Sequence, residues 1–267
     1  MTALEILLVL GIGLAGGISG GLLGIGGSVV MLPLLTLLLG PNQQLYQAAC
    51  MPVNVVVAIG ALRRHVLAKT IRTDWLRWLM PATALAAIVG VLLGNLLDGA
   101  VLGRLFGAFL LYVAASEALR HVRRVVVDCA EITPATPGGA SLVGAATGGI
   151  AGLLGVGGGI VAVPLLRTIG RMPLRQAIAT STATIVIASS IGAIAKNASI
   201  GSLTGAEGEP LSLGVSLGLA AILAPSALLG GYLGSRLTYA LPIAAVRIAF
   251  AVLIGIAGLR MIGLVPF

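Results

Sequence analysis

Residues 17–35 read GISGGLLGIGGSVVMLPLL, and residues 148–166 read GGIAGLLGVGGGIVAVPLL. The two segments align without a gap, 131 positions apart, and 11 of the 19 positions are identical. Each is a glycine break inside apolar sequence. In a membrane chain, Gly-interrupted segments at corresponding places in two halves point to a binding site where the repeats meet. The duplication continues outward from the glycines. Gln47-Ala48 matches Gln176-Ala177. Gly90, Leu93, Gly94 and Leu97 match Gly230, Leu233, Gly234 and Leu237, and Arg104, Ala108 and Leu110 match Arg247, Ala251 and Leu253. The order is kept, so a whole unit is duplicated.

Composition sets the class. Of 267 residues, 58% are hydrophobic and 9% charged, against roughly 25% charged in a soluble domain. Repeated apolar runs of about 20 residues imply an all-α, polytopic membrane protein. The formal charge of +8 does not imply nucleic acid, because the basic residues sit in short loops, where they hold loops on the cytoplasmic side. Cys50 and Cys129 are the only cysteines and fit neither a disulfide framework nor a metal site. The first residues, MTALEILLVLGIGLAGG, lack a basic leader region and carry Glu5, so they read as mature structure.

Each half contains four apolar units, at about 3–39, 46–62, 76–97 and 101–119, then 141–169, 175–195, 211–237 and 243–263. The division is a first repeat over 1–119, a cytoplasmic linker over 120–140 and a second repeat over 141–267. The linker carries Arg120, Arg123, Arg124, Asp128, Glu131, Pro134 and Pro137 and is the long polar, breaker-rich stretch. His65 and His121 stand beside arginines and read as solvated.

Charge orients the copies. The loop after unit two holds Arg63, Arg64, Lys69, Arg72 and Arg77, whereas its counterpart in the second half holds Lys196 with Glu207 and Glu209. The loop after unit one is uncharged in the first half and holds Arg167, Arg171 and Arg175 in the second. Positive loops inside therefore mean two inverted repeats. Inversion needs an odd number of crossings per half, so one unit must turn back. After its glycines, unit one retains residues 28–39 or 159–169, roughly 17 Å of helix and about half the hydrocarbon core. The expectation is a Gly-broken re-entrant hairpin of two shorter helices. With eight simple spans the basic residues divide 10 against 6; with two re-entrant units they divide 13 against 3.

The GIGGS and GVGGG cores lack the strand, acidic residue or Lys-Ser/Thr pair of a nucleotide loop. Two readings remain. Glycine faces let helices approach closely in a bilayer, which suits Gly90/Gly94, Gly230/Gly234, Gly20/Gly24 and Gly17/Gly21. Alternatively, helices beginning at Ser28 and Gly159 aim their N-terminal amides at the breaks and attract an anion. Thr180, Ser181, Thr182, Thr184, Ser189 and Ser190 form the densest polar cluster in an apolar unit. They either bond back to their own helix or offer hydroxyls to an anion. Asn54 needs a buried partner or a ligand. Arg104 and Arg247 read as interfacial anchors or as an anion entrance. No carboxylate lies deep in a unit, so a proton relay is not evident.

The twin G-x-x-G-x-G-G-[GS] segments, each followed by V-x-x-P-x-L, together with Q-A-x-A-T-S-T at 176–182, resemble the sulfite exporter TauE/SafE family. The first half departs from the last pattern with Ala48, Met51 and Pro52. The resemblance implies a multi-pass protein of the bacterial inner membrane that exports small oxyanions such as sulfite and sulfonates. The substrate-binding set expected is Gly24, Gly26, Gly27, Ser28, Asn54, Gly155, Gly157, Gly158, Gly159, Thr180 and Ser181. No metal, cofactor or enzyme chemistry is expected; the partners are a small anionic substrate and lipid. Access would alternate by rocking one repeat against the other. The alternative is a non-transporting membrane assembly or scaffold protein.

Overall fold

A computed structural model describes residues 2–122, 134–205, 208–237 and 243–264. Arg123, Arg124, Asp128, Cys129, Glu131 and Glu207 lie outside the described residues. The first half holds α1 (Ala3–Leu23), α2 (Ser28–Leu39), α3 (Gln43–Leu67), α4 (Thr73–Asn95) and α5 (Gly99–Val122). The second holds α6 (Pro137–Leu154), α7 (Gly159–Thr168), α8 (Leu174–Ala198), α9 (Leu213–Leu237) and α10 (Ile243–Ile262). Seven of these, α1, α3, α4, α5, α6, α8 and α9, contain a segment long and apolar enough to cross a membrane. The chain is a multi-pass membrane protein.

Local chemistry sets the helix ends. Thr2 and Glu5 form a capping box that opens α1, satisfying two of its free amides. Thr136 accepts from the Gly139 amide, and Pro137 occupies the first turn of α6, where a missing N–H costs nothing. Both α1 and α6 stop at a glycine in the left-handed region, Gly24 at φ 65° and Gly155 at φ 72°, a conformation that a Cβ disfavours.

The chain then doubles back. Gly27 packs against Gly16 and Gly20, and Met31 against Gly16. In the second half Gly158 packs against Thr147 and Ala151, and Ile169 against Gly139. Each first unit is therefore a hairpin whose second arm begins beside the C-terminal part of the first. The arms are unequal, which corrects the expectation of two short helices. α2 and α7 have 12 and 10 residues, but α1 and α6 have 21 and 18. Most glycines within α1 and α6 face packed neighbours, while Gly11, Gly138 and Gly149 face open space. The helix breaks only where φ turns positive.

The halves interlock. Gly13, Gly17 and Gly21 of α1 lie against Leu223, Ala227 and Gly231 of α9, so these helices run parallel. Gly144, Gly148 and Gly152 of α6 lie in the same way against Leu79, Thr83 and Ala87 of α4. Gly90 and Gly94 pack on α6, and Gly230 and Gly234 on α1, which bears out the close-packing reading of those pairs. Repeat-equivalent helices meet head to tail. Gln44 near the start of α3 contacts Lys196 near the end of α8, while Met51 faces Gly192. Gly107 of α5 meets Gly258 and Ile262 of α10.

Two polar residues are not where the sequence suggested. Lys196 is not in a loop: it is part of α8 and 1% exposed. His65 is not solvated: it is 2% exposed in the last turn of α3.

Candidate functional site

The two glycine loops touch each other at the centre of the molecule. A side chain added at Gly159 would strike the Gly24 carbonyl and Ile25, and one added at Gly26 would strike the Val156 carbonyl. All residues from Gly24 to Ser28 and from Gly155 to Gly159 are buried. Gly26 has φ 89°, and Gly157 and Gly158 have φ 70° and 80°. Irregular backbone at this depth is tolerated where protein or a cavity covers it. An apolar recess bordered by Leu23, Ile25, Ile160, Pro164 and Glu117 lies beside both loops.

The copies differ in how their loops are held. In the first, the Ser28 amide donates to Asn54 Oδ1 at 2.9 Å, and Asn54 Nδ2 donates to Ser28 Oγ at 2.8 Å. Both residues have zero exposure. Asn54 thus finds its buried partner in the first residue of α2 and caps that helix from outside. Ser181 Oγ, from the other half, lies 3.0 Å from the Gly24 carbonyl and the same distance from that of Ile178. The first loop is therefore closed from two sides.

The second loop is not closed in this way. Ser28 and Asn54 correspond to Gly159 and Ala183, which carry no polar side chain. The Gly158 N-cap of α7 supplies no side-chain bond. Three buried polar atoms around this loop have no hydrogen-bond partner: Ser189 Oγ, Thr147 Oγ1 and Gln47 Oε1. Ser189 Oγ lies against Gly157, whereas Thr147 meets Gly158 through its Cγ2 methyl and its carbonyl, and Gln47 meets Gly155 through its aliphatic carbons. Buried polar atoms without partners are rare, and the Ser189 hydroxyl stands against this loop beside the positive end of a ten-residue helix.

Most of the expected set is brought together: Gly24, Gly26, Gly27, Ser28, Asn54, Gly155, Gly157, Gly158, Gly159 and Ser181 all lie in or against the paired loops. Thr180 is engaged otherwise, accepting from the Arg72 amide at 3.1 Å where α4 begins. Thr182 and Thr184 bond back to the carbonyls four residues earlier, the structural reading of that cluster. Ser189 belonged to the cluster but was not singled out. Thr147 and Gln47 were missed, although a lone threonine in a Gly/Ala-rich helix and a glutamine in an apolar one are signals of kinds that sequence offers. Arg104 is exposed, as an anchor would be; the side chain of Arg247 lies outside the described residues. Among the described residues no cluster of metal-binding side chains occurs.

The profile of the sulfite exporter TauE/SafE family matches residues 9–261. A probable membrane transporter protein of Methanocaldococcus jannaschii is 29% identical over 94% of this chain and 93% of its own length. A second, from Haemophilus influenzae, is 28% identical over 96% of this chain and 97% of its own. The probable membrane transporter protein MamO of Magnetospirillum gryphiswaldense is 27% identical over 95% of this chain. This chain spans 45% of that protein, and 43% of the MamO of Paramagnetospirillum magneticum. No solved structure matches the chain.

Proposed function

Because the chain belongs to the sulfite exporter TauE/SafE family of membrane transporters, we propose that it exports small oxyanions, sulfite and organosulfonates, across a bacterial inner membrane. The observation that carries this reading is the start of α7 in the second loop, which no side chain caps. An uncapped helix start attracts negative charge, and the Ser189 hydroxyl beside it, with the unpartnered Thr147 hydroxyl on α6, can donate to an anion's oxygens. The first loop, tied by Asn54 and Ser181, serves as its fixed wall. This departs from a symmetric pair of helix ends, since the α2 end is already occupied by Asn54.

The site sits between inverted repeats, with the 120–140 linker and the arginine-rich ends on the cytoplasmic side. Head-to-tail contact of α3 with α8 supports that arrangement. The moving parts are not the halves themselves, because α1 is packed on α9 and α4 on α6. Alternating access instead moves the exchanged pairs about the α3–α8 seam.

Purified protein in liposomes tests the reading. Sulfite flux should exceed that of protein-free vesicles and fall at least tenfold in Thr147→Val/Ser189→Ala. No flux of sulfite or methanesulfonate would refute transport of this class. Orientation is tested by thiol labelling of Ser202→Cys and Lys69→Cys after replacement of Cys50 and Cys129. Labelling of both from the same side would overturn the inversion.

A further inference from the structure

Lys196 is buried within α8, and its ammonium is held by neutral groups alone. It donates to Gln44 Oε1 of α3 and, at 2.7 Å, to Asn95 Oδ1 at the end of α4. Both partners are themselves fixed. Gln44 Nε2 donates to the carbonyls of Gly94 and Leu97 at 3.1 and 2.8 Å, and Asn95 Nδ2 to Ser199 Oγ at 2.7 Å. Among the described residues Lys196 makes no ion pair; the Arg72–Asp74 bridge lies at the opposite end of α4.

A purely structural tie between three helices does not need a charge. Burying an ammonium costs several kcal/mol unless an opposite charge offsets it, and an ionisable side chain in a membrane-spanning helix is a functional residue by default. Two of the three ammonium N–H groups are taken by Gln44 and Asn95, which leaves one. The cage thus has fixed acceptors, a spare donor and no counter-charge.

Its place in the fold connects it to the glycine loops. Ser189, Gly192 and Lys196 recur at helical spacing on α8, facing Gln44, Met51 and Asn54 of α3. The contacts run in sequence: Lys196 on Gln44, Gly192 on Met51, and Ser189 with Asn54 at Gly157. Lys196 is seven residues beyond Ser189, about 10 Å along the helix. Between them stands Met51, 2% exposed, a flexible thioether closing the seam.

We propose that Lys196, framed by Gln44 and Asn95, is a second oxyanion-binding station on the outer half of the transport route, separated from the glycine loops by Met51. Its ligand is a small, compact oxyanion; the lysine is too deeply buried to serve a lipid headgroup. The station supplies the counter-charge that the neutral loop site lacks, so an anion leaving the loops has a place to move before release. The inference rests on the oxyanion reading above.

Binding and transport are measured separately. Thermal unfolding of purified protein is followed against increasing sulfite, with chloride at equal ionic strength as control. Sulfite should raise the Tm of the wild-type protein. Lys196→Gln should require at least tenfold more sulfite for the same rise, and Lys196→Arg within threefold of wild type. Equal stabilisation of Lys196→Gln and wild type, or none in wild type, overturns the station. Should Lys196→Gln not fold, Asn95→Ala, which leaves the charge but removes half the cage, takes its place and should require at least threefold more sulfite; an unchanged requirement overturns the proposal. Stabilisation that depends on Lys196 without flux in liposomes would leave the station standing and sink transport instead.

Discussion

Replacing Asn54 with alanine tests the asymmetry of the two loops. The side chain makes two buried hydrogen bonds to Ser28, at 2.9 and 2.8 Å. Its loss strands the Ser28 amide, which costs about 1–3 kcal/mol for a buried group without a partner. The Ser28 hydroxyl and the space left by the amide group add roughly another 1–2 kcal/mol. Asn54→Ala should therefore destabilise by about 2–5 kcal/mol. Ser28→Ala alone strands the Asn54 Nδ2 and should cost roughly 1–2 kcal/mol. The double variant should cost less than the two together, with a coupling of about 1–3 kcal/mol, because the side-chain partners are then removed together and only the residue 28 backbone amide is left unpaired. The second half already lives with Gly159 and Ala183 at these places, so the fold accommodates the missing pair. The assay is a double-mutant cycle on purified protein in mixed micelles, with helical circular dichroism followed through denaturant. Additive single effects, with coupling below about 0.5 kcal/mol, would refute the Asn54–Ser28 tie.

Two adjacent glycines should behave in opposite ways. Gly148→Ala drives a Cβ under 3.0 Å from the Thr83 backbone, whereas Gly149→Ala meets nothing within 4 Å. The first should cost about 1–3 kcal/mol by overpacking, and the second should gain up to about 1 kcal/mol from helix propensity, both read as shifts in Tm. Ser189→Ala removes a buried hydroxyl with no partner, so stability should hold or rise slightly while the KM for sulfite increases several-fold in the flux assay. Asp74→Asn removes the exposed bridge to Arg72 and should change stability by less than about 1 kcal/mol, with flux unaltered.

Sequence made the hairpin turns legible because consecutive glycines are a local signal. The starts of α2 and α7 fall at Ser28 and Gly159 as expected, since that is where left-handed backbone gives way to branched apolar residues. The length of the first arms was hidden, because glycine weakens a helix in water yet favours close packing in lipid. The Asn54–Ser28 pair joins residues 26 apart on different helices, and no local pattern encodes such a meeting. Lys196 followed by Asn197 and Ser199 reads as the start of a loop. Its burial depends on Gln44 and Asn95, more than 100 positions away, and becomes visible only once the helices are packed.

The exchange of partners between the halves also sets a schedule for biogenesis. The glycine face of α1 is complete once Leu23 has been made, but its partner α9 begins at Leu213, 190 residues later. At about 5–20 residues per second, α1 waits roughly 10–40 seconds in the bilayer with its small-residue stripe against lipid or borrowed neighbours. The N-terminal half is thus inserted before the helix that covers the α1 glycine face exists. A ribosome stalled in the linker should leave α1 accessible to crosslinking from the insertion machinery, and release of the complete chain should end that contact.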